Sequence, residues 1–338
     1  DAVGEAKMSA LVTRLKAEGA GRPYDAMVGL SGGIDSAWLA HRMATQGLRL
    51  LAIHVDAGWN SEAAVHNIEK LARALDLDLH TQVIEWDEVR DVQLAFLRAG
   101  VMNQDFPQDH AFFATLTRLA RRFGVRSFLT GVNFASEGLY VPHHDDNRYT
   151  SPSSTDGSHL RAIHRAFGER PLVSFPVMTM TEYLWMTQVR RTPRRYRPLD
   201  YFNYDKEEAR RELTEVYGWR DYGPKHSESR FTKFFQEVYL PGKFGLDKRR
   251  LHLSSLIISG QMTRDAALEA LEQPVISPAA ARRDLVFVAK KLGVTPETLQ
   301  GFIDAPPRSH FEFASANRMT TALLRARSVV RGVFRPAR

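Results

Sequence analysis

The chain contains no cysteine. Disulfides, thiolate zinc sites and thiol nucleophiles are thereby excluded. No apolar run approaches the ~20 residues that a membrane-spanning helix needs. Acidic residues are in the minority, 39 against 46 lysines and arginines, for a net charge of +7. That balance favours anionic partners, which include nucleotides, nucleic acid and a membrane face, and chooses none of them. The opening stretch, "DAVGEAKMSALVTRLKAEG", is amphipathic and carries acids, unlike a secretory signal. The 338 residues are 43% hydrophobic and 25% charged, as expected of a globular chain of about two domains.

What is present is an alternation of strand and helix signals. "YDAMVGL", "LRLLAIHVD", "DLHTQVIE" and "VRSFLTG" read as strands. "SAWLAHRMATQ", "SEAAVHNIEKLARALD" and "HAFFATLTRLARRFG" read as the helices between them. In the second helix Ala64, Ile68, Leu71 and Leu75 fall at helical spacing and predict one buried stripe. Such alternation implies a parallel sheet covered on both faces, with ligands at the carboxyl ends of its strands. After about Tyr140 the pattern weakens into a polar loop, a helix at "HLRAIHRAFG", five arginines from Arg190 to Arg197, and helices around Glu207–Tyr217 and Ser229–Tyr239. Boundaries are expected near 140 and 274: an α/β nucleotide domain, a region completing the core and binding substrate, and a helical extension from 275 to 338.

The stretch "VGLSGGIDSAW" ends the first strand. Its glycines allow a sharp turn and close approach of a ligand. Successive N–H groups in such a turn form an anion cradle, and the following helix aims its positive end there. The Ser31 and Ser36 hydroxyls add donors. The loop is built for phosphate. It lacks the Gly-Lys-Ser/Thr ending of a Walker loop and the glycine spacing of a dinucleotide fingerprint.

Ser31, Gly32, Gly33, Asp35 and Ser36 resemble the SGGxDS loop of the PP-loop ATP pyrophosphatases, which cleave ATP between its α and β phosphates and adenylate a carbonyl oxygen. The resemblance implies that superfamily's five-stranded parallel α/β sheet with a mostly helical C-terminal region. It implies adenine on the Val55–Asp56 backbone within "HVDAGWN", where Asn60 or Ser61 also reads as a helix cap. It implies pyrophosphate at Thr130, Gly131 and Asn133 of "TGVNFASE". By similarity to ammonia-dependent NAD synthetases, Asp35 and Glu137 become Mg²⁺ ligands; the plainer reading of Glu137 is a helix turn.

Longer blocks narrow the resemblance. "NQDFPQDHAFFATL", "IHRAFGERPL" and "KHSESRFTKFFQEVYLPGKFGLDKRRLHLSSLIISGQMTRDAALEAL" are similar to the N-acetyl sugar amidotransferases of bacterial surface-polysaccharide synthesis. The likeness runs from about Tyr24 to Pro274 and leaves the tail without a role. It implies a nucleotide-linked amino sugar as substrate and ammonia from a separate glutaminase/cyclase-like complex. It also implies a cytoplasmic reaction, no nucleic-acid partner, and room for a homo-oligomer. A cysteine-rich segment that many such enzymes carry has no counterpart here. Lys225, Arg230 and Lys248 are the expected pyrophosphate cations, with Lys243 and Arg249 also in reach. Asp105 or Asp109 caps the helix that follows, or Asp109 and His110 line the sugar pocket or handle the proton on ammonia. The histidines of "PHHDD" read as solvent-exposed rather than as metal ligands. Two other readings stand beside this one. In a tRNA-modifying PP-loop enzyme the arginine run would grip RNA. In a docking subunit without turnover it would be an interface.

Overall fold

The computed structural model describes residues 2–138, 147–190, 192–220 and 228–316. Lys225, the "PHHDD" loop, Arg191 and the last 22 residues lie outside these. Strands β1 (Ala26–Gly29), β2 (Leu50–Asp56), β3 (Asp78–Val83), β4 (Ser127–Leu129) and β5 (Arg194–Tyr196) form one sheet in the order β3-β2-β1-β4-β5, every pair parallel. The helices are α1 (Ala2–Glu18), α2 (Ile34–Thr45), α3 (Glu62–Ala74), α4 (Trp86–Ala99), α5 (Phe106–Arg122), α6 (Phe134–Glu137), α7 (Gly157–Phe167), α8 (Met180–Leu184) and α9 (Lys206–Tyr217). They continue with α10 (Arg230–Phe234), α11 (Leu240–Phe244), α12 (Arg249–Ile258), α13 (Arg264–Glu272), α14 (Pro278–Leu292) and α15 (Pro296–Asp304).

The central strands β1 and β2 are largely apolar on both faces because both are covered. Side chains alternate between two cores, as the two-residue period of a strand requires. Met27, Leu51, Ile53 and Val55 join α4, α5, α7, α10, α14 and α15 on one face. Ala26, Val28, Leu50 and Ala52 join α1, α2, α3 and α9 on the other. The expected stripe of α3 is there: Ala64, Ile68 and Leu71 are buried, and Leu75 packs at its edge.

Two elements differ from expectation. Helix α4 was not singled out from the sequence; it is buried along most of its length, Glu88 and Asp91 included. The fifth strand is made by the arginine run. Arg194 pairs with Glu18 of α1, Arg197 with Asp200 at 2.5 Å, and Arg195 lies over the Phe113 ring at 5.5 Å. Arg194, Arg195 and Arg197 thus tie a sheet edge to its neighbours.

Candidate functional site

The strand order reverses between β1 and β4, so their carboxyl ends open a crevice between the connections that leave in opposite directions. The loop Leu30–Gly33 leaves β1 there and runs straight into α2. Four contacts tie it. The Gly33 N–H donates to Ser31 Oγ at 3.2 Å, the Ser31 N–H to Ser36 Oγ at 3.3 Å, Ser36 Oγ donates to the Gly33 carbonyl at 3.0 Å, and the two hydroxyls lie 3.2 Å apart. Gly32 has φ +84°, and a Cβ there would stand 2.6 Å from Ala64 Cβ of α3. Its requirement for glycine is set by the helix behind it, not only by a ligand in front. A Cβ on Gly131 would meet the Ser36 nitrogen at 2.9 Å, so the β4 loop presses on the start of α2.

The β2 end is fixed by a polar chain. His54 is buried; its Nδ1 donates to the Leu30 carbonyl at 2.8 Å, and Nε2 accepts from Asn60 Nδ2 at 3.1 Å. Asp56 Oδ1 accepts from the Gly58 N–H at 2.7 Å and from Asn60 Nδ2 at 3.0 Å. Ser61 caps α3 by accepting from the Ala64 N–H at 3.2 Å. Capping is therefore the role of Ser61, while Asn60 braces the strand end. Residues 228–230 run alongside: the Ser61 N–H donates to the Glu228 carbonyl and the Arg230 N–H to the Trp59 carbonyl, each at 2.8 Å.

These elements enclose a cavity of about 750 Å³. Ser31, Gly33, Asp35, Ser36, Val55, Thr130 and Gly131 line it, as the sequence led us to expect, and so do Asp109 and Lys248. Gly32, Asp56 and Asn133 stand behind the wall; Asn133 is buried and donates to the Gly131 carbonyl at 3.1 Å. Asp35 accepts a short hydrogen bond from Tyr204 Oη. The side chain of Glu137 lies outside what is described.

Two catalytic candidates are corrected. His110 is fully buried: Nδ1 donates to the Ser154 carbonyl at 2.7 Å and Nε2 accepts from the Met178 N–H at 2.9 Å. Burial holds its pKa down at about 4. With both nitrogens occupied and no place in the cavity wall, it joins two loops. Arg230 turns away to α14, where it pairs with Asp284 at 3.0 Å and lies 4.4 Å from the Phe287 ring centroid. Lys243 and Arg249 are likewise spent on the fold. Lys243 donates to the Phe302 carbonyl at 2.8 Å and also to that of Ala305, and Arg249 pairs with Asp247 at 2.8 Å.

Asp105 occupies the N-cap position of α5 but makes no cap bond. Its Oδ1 instead accepts from Thr232 Oγ1 of α10 at 3.1 Å and weakly from Gln108 Nε2 at 3.4 Å. Enclosure in the cavity, with the Asp109 and Glu228 charges adding to it against Lys248, pushes its pKa up to about 7. Lys206 and Glu228 also line the cavity and were not singled out from the sequence. A Cβ on Gly33 would stand 3.0 Å from Glu228 Oε1, so this carboxylate overhangs the phosphate loop. Glu228 lay in a quoted block and was legible in principle. Lys206 had no signal in its own stretch; the Tyr204–Asp35 bond and the packing of α9 on α2, with Trp38 bonded to Glu212, bring it to the loop. Among the described lining residues, Lys206 and Lys248 are the lysines, and no arginine joins them.

No match is found among curated proteins. Among solved structures the chain is similar to NMN synthetase from Francisella tularensis, with 14% identity over 78% of this chain and 95% of that one and a TM-score of 0.36. It is similar to the NH3-dependent NAD synthetase of Campylobacter jejuni subsp. jejuni NCTC 11168, with 14% identity over 79% and 96% and a TM-score of 0.32. It is also similar to a 4-thiouridine synthetase in complex with RNA and bound ATP, with 14% identity over 82% of this chain and 53% of that one and a TM-score of 0.33. Residues 228–326 match the family described as LPS biosynthesis protein WbpG-like, C-terminal domain. Helices α10 to α12 of that segment wall the cavity opposite the Ser31–Ser36 loop.

Proposed function

We propose that this chain is an ATP-dependent amidotransferase acting on a nucleotide-linked N-acetylated sugar. One observation carries the reading: a phosphate-type loop at the sheet's switch point and the WbpG-like segment line the same cavity. ATP would lie with its phosphates at Ser31–Ser36 and its adenine on the Val55–Asp56 backbone. The acetamido oxygen attacks the α-phosphorus and pyrophosphate departs. Ammonia then adds to the activated carbon, a proton is lost, and AMP leaves with the oxygen. The product is an acetamidino group; the same steps on a uronate give a uronamide. The protein supplies no nucleophile, so the absence of cysteine is no obstacle. Its work is positioning and neutralising charge.

Lys248 and Lys206 are the cations placed to meet the departing pyrophosphate, and Lys225 remains an expectation of the resemblance. Asp105 replaces His110 as the group that takes the proton from the ammonia nitrogen. Among the described residues no cluster of three or more His, Asp or Glu could hold a metal ion by itself. An ion entering with ATP needs only one or two carboxylates besides phosphate oxygens, and Asp35 at the cavity edge fits that demand. Mg²⁺ held there, with Glu137 as the resemblance suggests, would screen the phosphate charge. No helix among the described residues is long and apolar enough to cross a membrane. A cytoplasmic reaction on soluble nucleotides, with ammonia from a partner glutaminase, is the setting we propose.

The test uses the purified chain with ATP, Mg²⁺, ammonium and a panel of nucleotide-linked N-acetyl sugars. AMP and pyrophosphate should form in step with a product in which NH replaces oxygen. Fragmentation then places the nitrogen on the acetamido or the uronate carbon. ATP left uncleaved with every sugar, or cleaved with no nitrogen entering any of them, would overturn the proposal.

A further inference from the structure

Helix α14 lies in the tail to which the sequence assigned no role. Its Lys291 reaches back to the cavity. The ammonium group donates a short hydrogen bond to the Gly58 carbonyl and stands 5.0 Å from the ring centroids of both Trp59 and Trp86. Gly58 has φ +79°, and a Cβ there would stand 2.6 Å from the Trp86 ring, so the loop has one packed position. Trp59 is 1% exposed and lines the cavity between Ala57 and Asn60. A second contact from α14 supports the neighbouring wall. Asp284, buried, pairs with Arg230 and Lys233 of α10. The same helix provides Thr232, which holds Asp105.

We infer that Lys291 is a positioning residue of this cavity, setting the loop 56–60 that closes the end of β2. A cation between two indole faces, with a carbonyl to donate to, fixes a loop in both direction and depth. This contact adds to the Asp56–Gly58, Asp56–Asn60 and Arg230–Trp59 bonds that hold the loop from the other side. Helix α14 then braces the wall of the site from behind rather than standing as an appendage. The inference rests on the reading that ATP occupies this cavity only for its second consequence, the affinity for ATP.

Three variants separate the outcomes. Lys291→Met removes the cation and keeps the length. Lys291→Arg keeps the cation. Leu299→Ala opens the α14–α15 packing without touching the loop, as a control for general loosening. Hydrogen exchange of peptides covering 56–60 should accelerate roughly tenfold in Lys291→Met, and stay near wild type in the other two. ATP titration should show several-fold weaker binding in Lys291→Met, with recovery in Lys291→Arg. Unchanged exchange at 56–60 in Lys291→Met would overturn the inference. So would equal acceleration in Leu299→Ala, which would make the contact merely structural. Wild-type protein that binds no ATP, with exchange behaving as expected, would sink the ATP reading and leave the positioning role standing.

Discussion

Asp105 shows how much a single residue owes to its surroundings. In the sequence it is an acid before an apolar run, the usual mark of a helix cap. In the fold Thr232 turns it into the cavity, beside Asp109 and Glu228. Its pKa lies above that of an unfolded aspartate, so ionising it disfavours the folded state. Stability should therefore fall as pH rises from about 4 to about 7, and level off above. Asp105→Asn removes this dependence. Its midpoint should match wild type near pH 4 and exceed it at pH 8, at about 2–4 °C for each kcal/mol relieved. Melting curves across that range check it; equal midpoints at pH 8 would show that the carboxylate is not strained by its neighbours. The same variant should lose ammonium-dependent turnover if Asp105 takes the proton.

At the scale of elements, the resemblance blocks divide into those that make chemistry and those that hold a shape. "IHRAFGERPL" belongs to the second kind. Asp91 of α4 accepts from His164 Nε2 at 2.7 Å and from the Glu169 N–H at 3.0 Å. Glu88 of the same helix accepts from the backbone N–H groups of Val173, Ser174 and Phe175. Those bonds outweigh the burial that opposes them, and they hold the Glu88 pKa below the usual carboxylate value. The stabilisation is therefore full above the unfolded pKa and is lost as pH falls through the lower folded one. Glu88→Gln keeps the shape but offers one acceptor oxygen to three donors. It should lower stability by about 2 kcal/mol at pH 7, where each unsatisfied buried group costs ~1–3 kcal/mol. Urea unfolding measures the difference, which should shrink towards pH 3. A difference that is constant with pH would mean that charge contributes nothing to the staple.

For the whole molecule, the missing cysteine makes a prediction about nitrogen supply. The chain has no thiol to open glutamine. Glutamine alone should give no turnover, free ammonium should support it, and the rate should climb with pH as more NH₃ exists. Adding a partner glutaminase should make glutamine effective. Product formed by the purified chain from glutamine alone would remove ammonia transfer from the scheme.

The sequence by itself determined the alternation of strands and helices, the glycine-serine loop at the end of β1, and the exclusion of thiol chemistry. These are local matters: periodicity, small residues at a turn, and a residue type that is not there. It also carried the WbpG-like segment, because a long block of particular side chains is hard to assemble by chance. Tertiary structure decided everything that depends on who faces whom. Arg230 was read as a pyrophosphate cation, and Asp284 draws it to α14 instead. His110 was read as a proton carrier, and two backbone groups from distant loops occupy it. Arg194 and Arg195 of the arginine run form the sheet's edge strand, which their own stretch does not announce. Lys206 and Lys291 showed nothing in their own neighbourhoods. The first is brought to the loop by Tyr204 and the second to Gly58 by the packing of α14. A side chain's charge is written in the chain, but its direction is set by partners up to 233 residues away, and only the folded molecule brings those together.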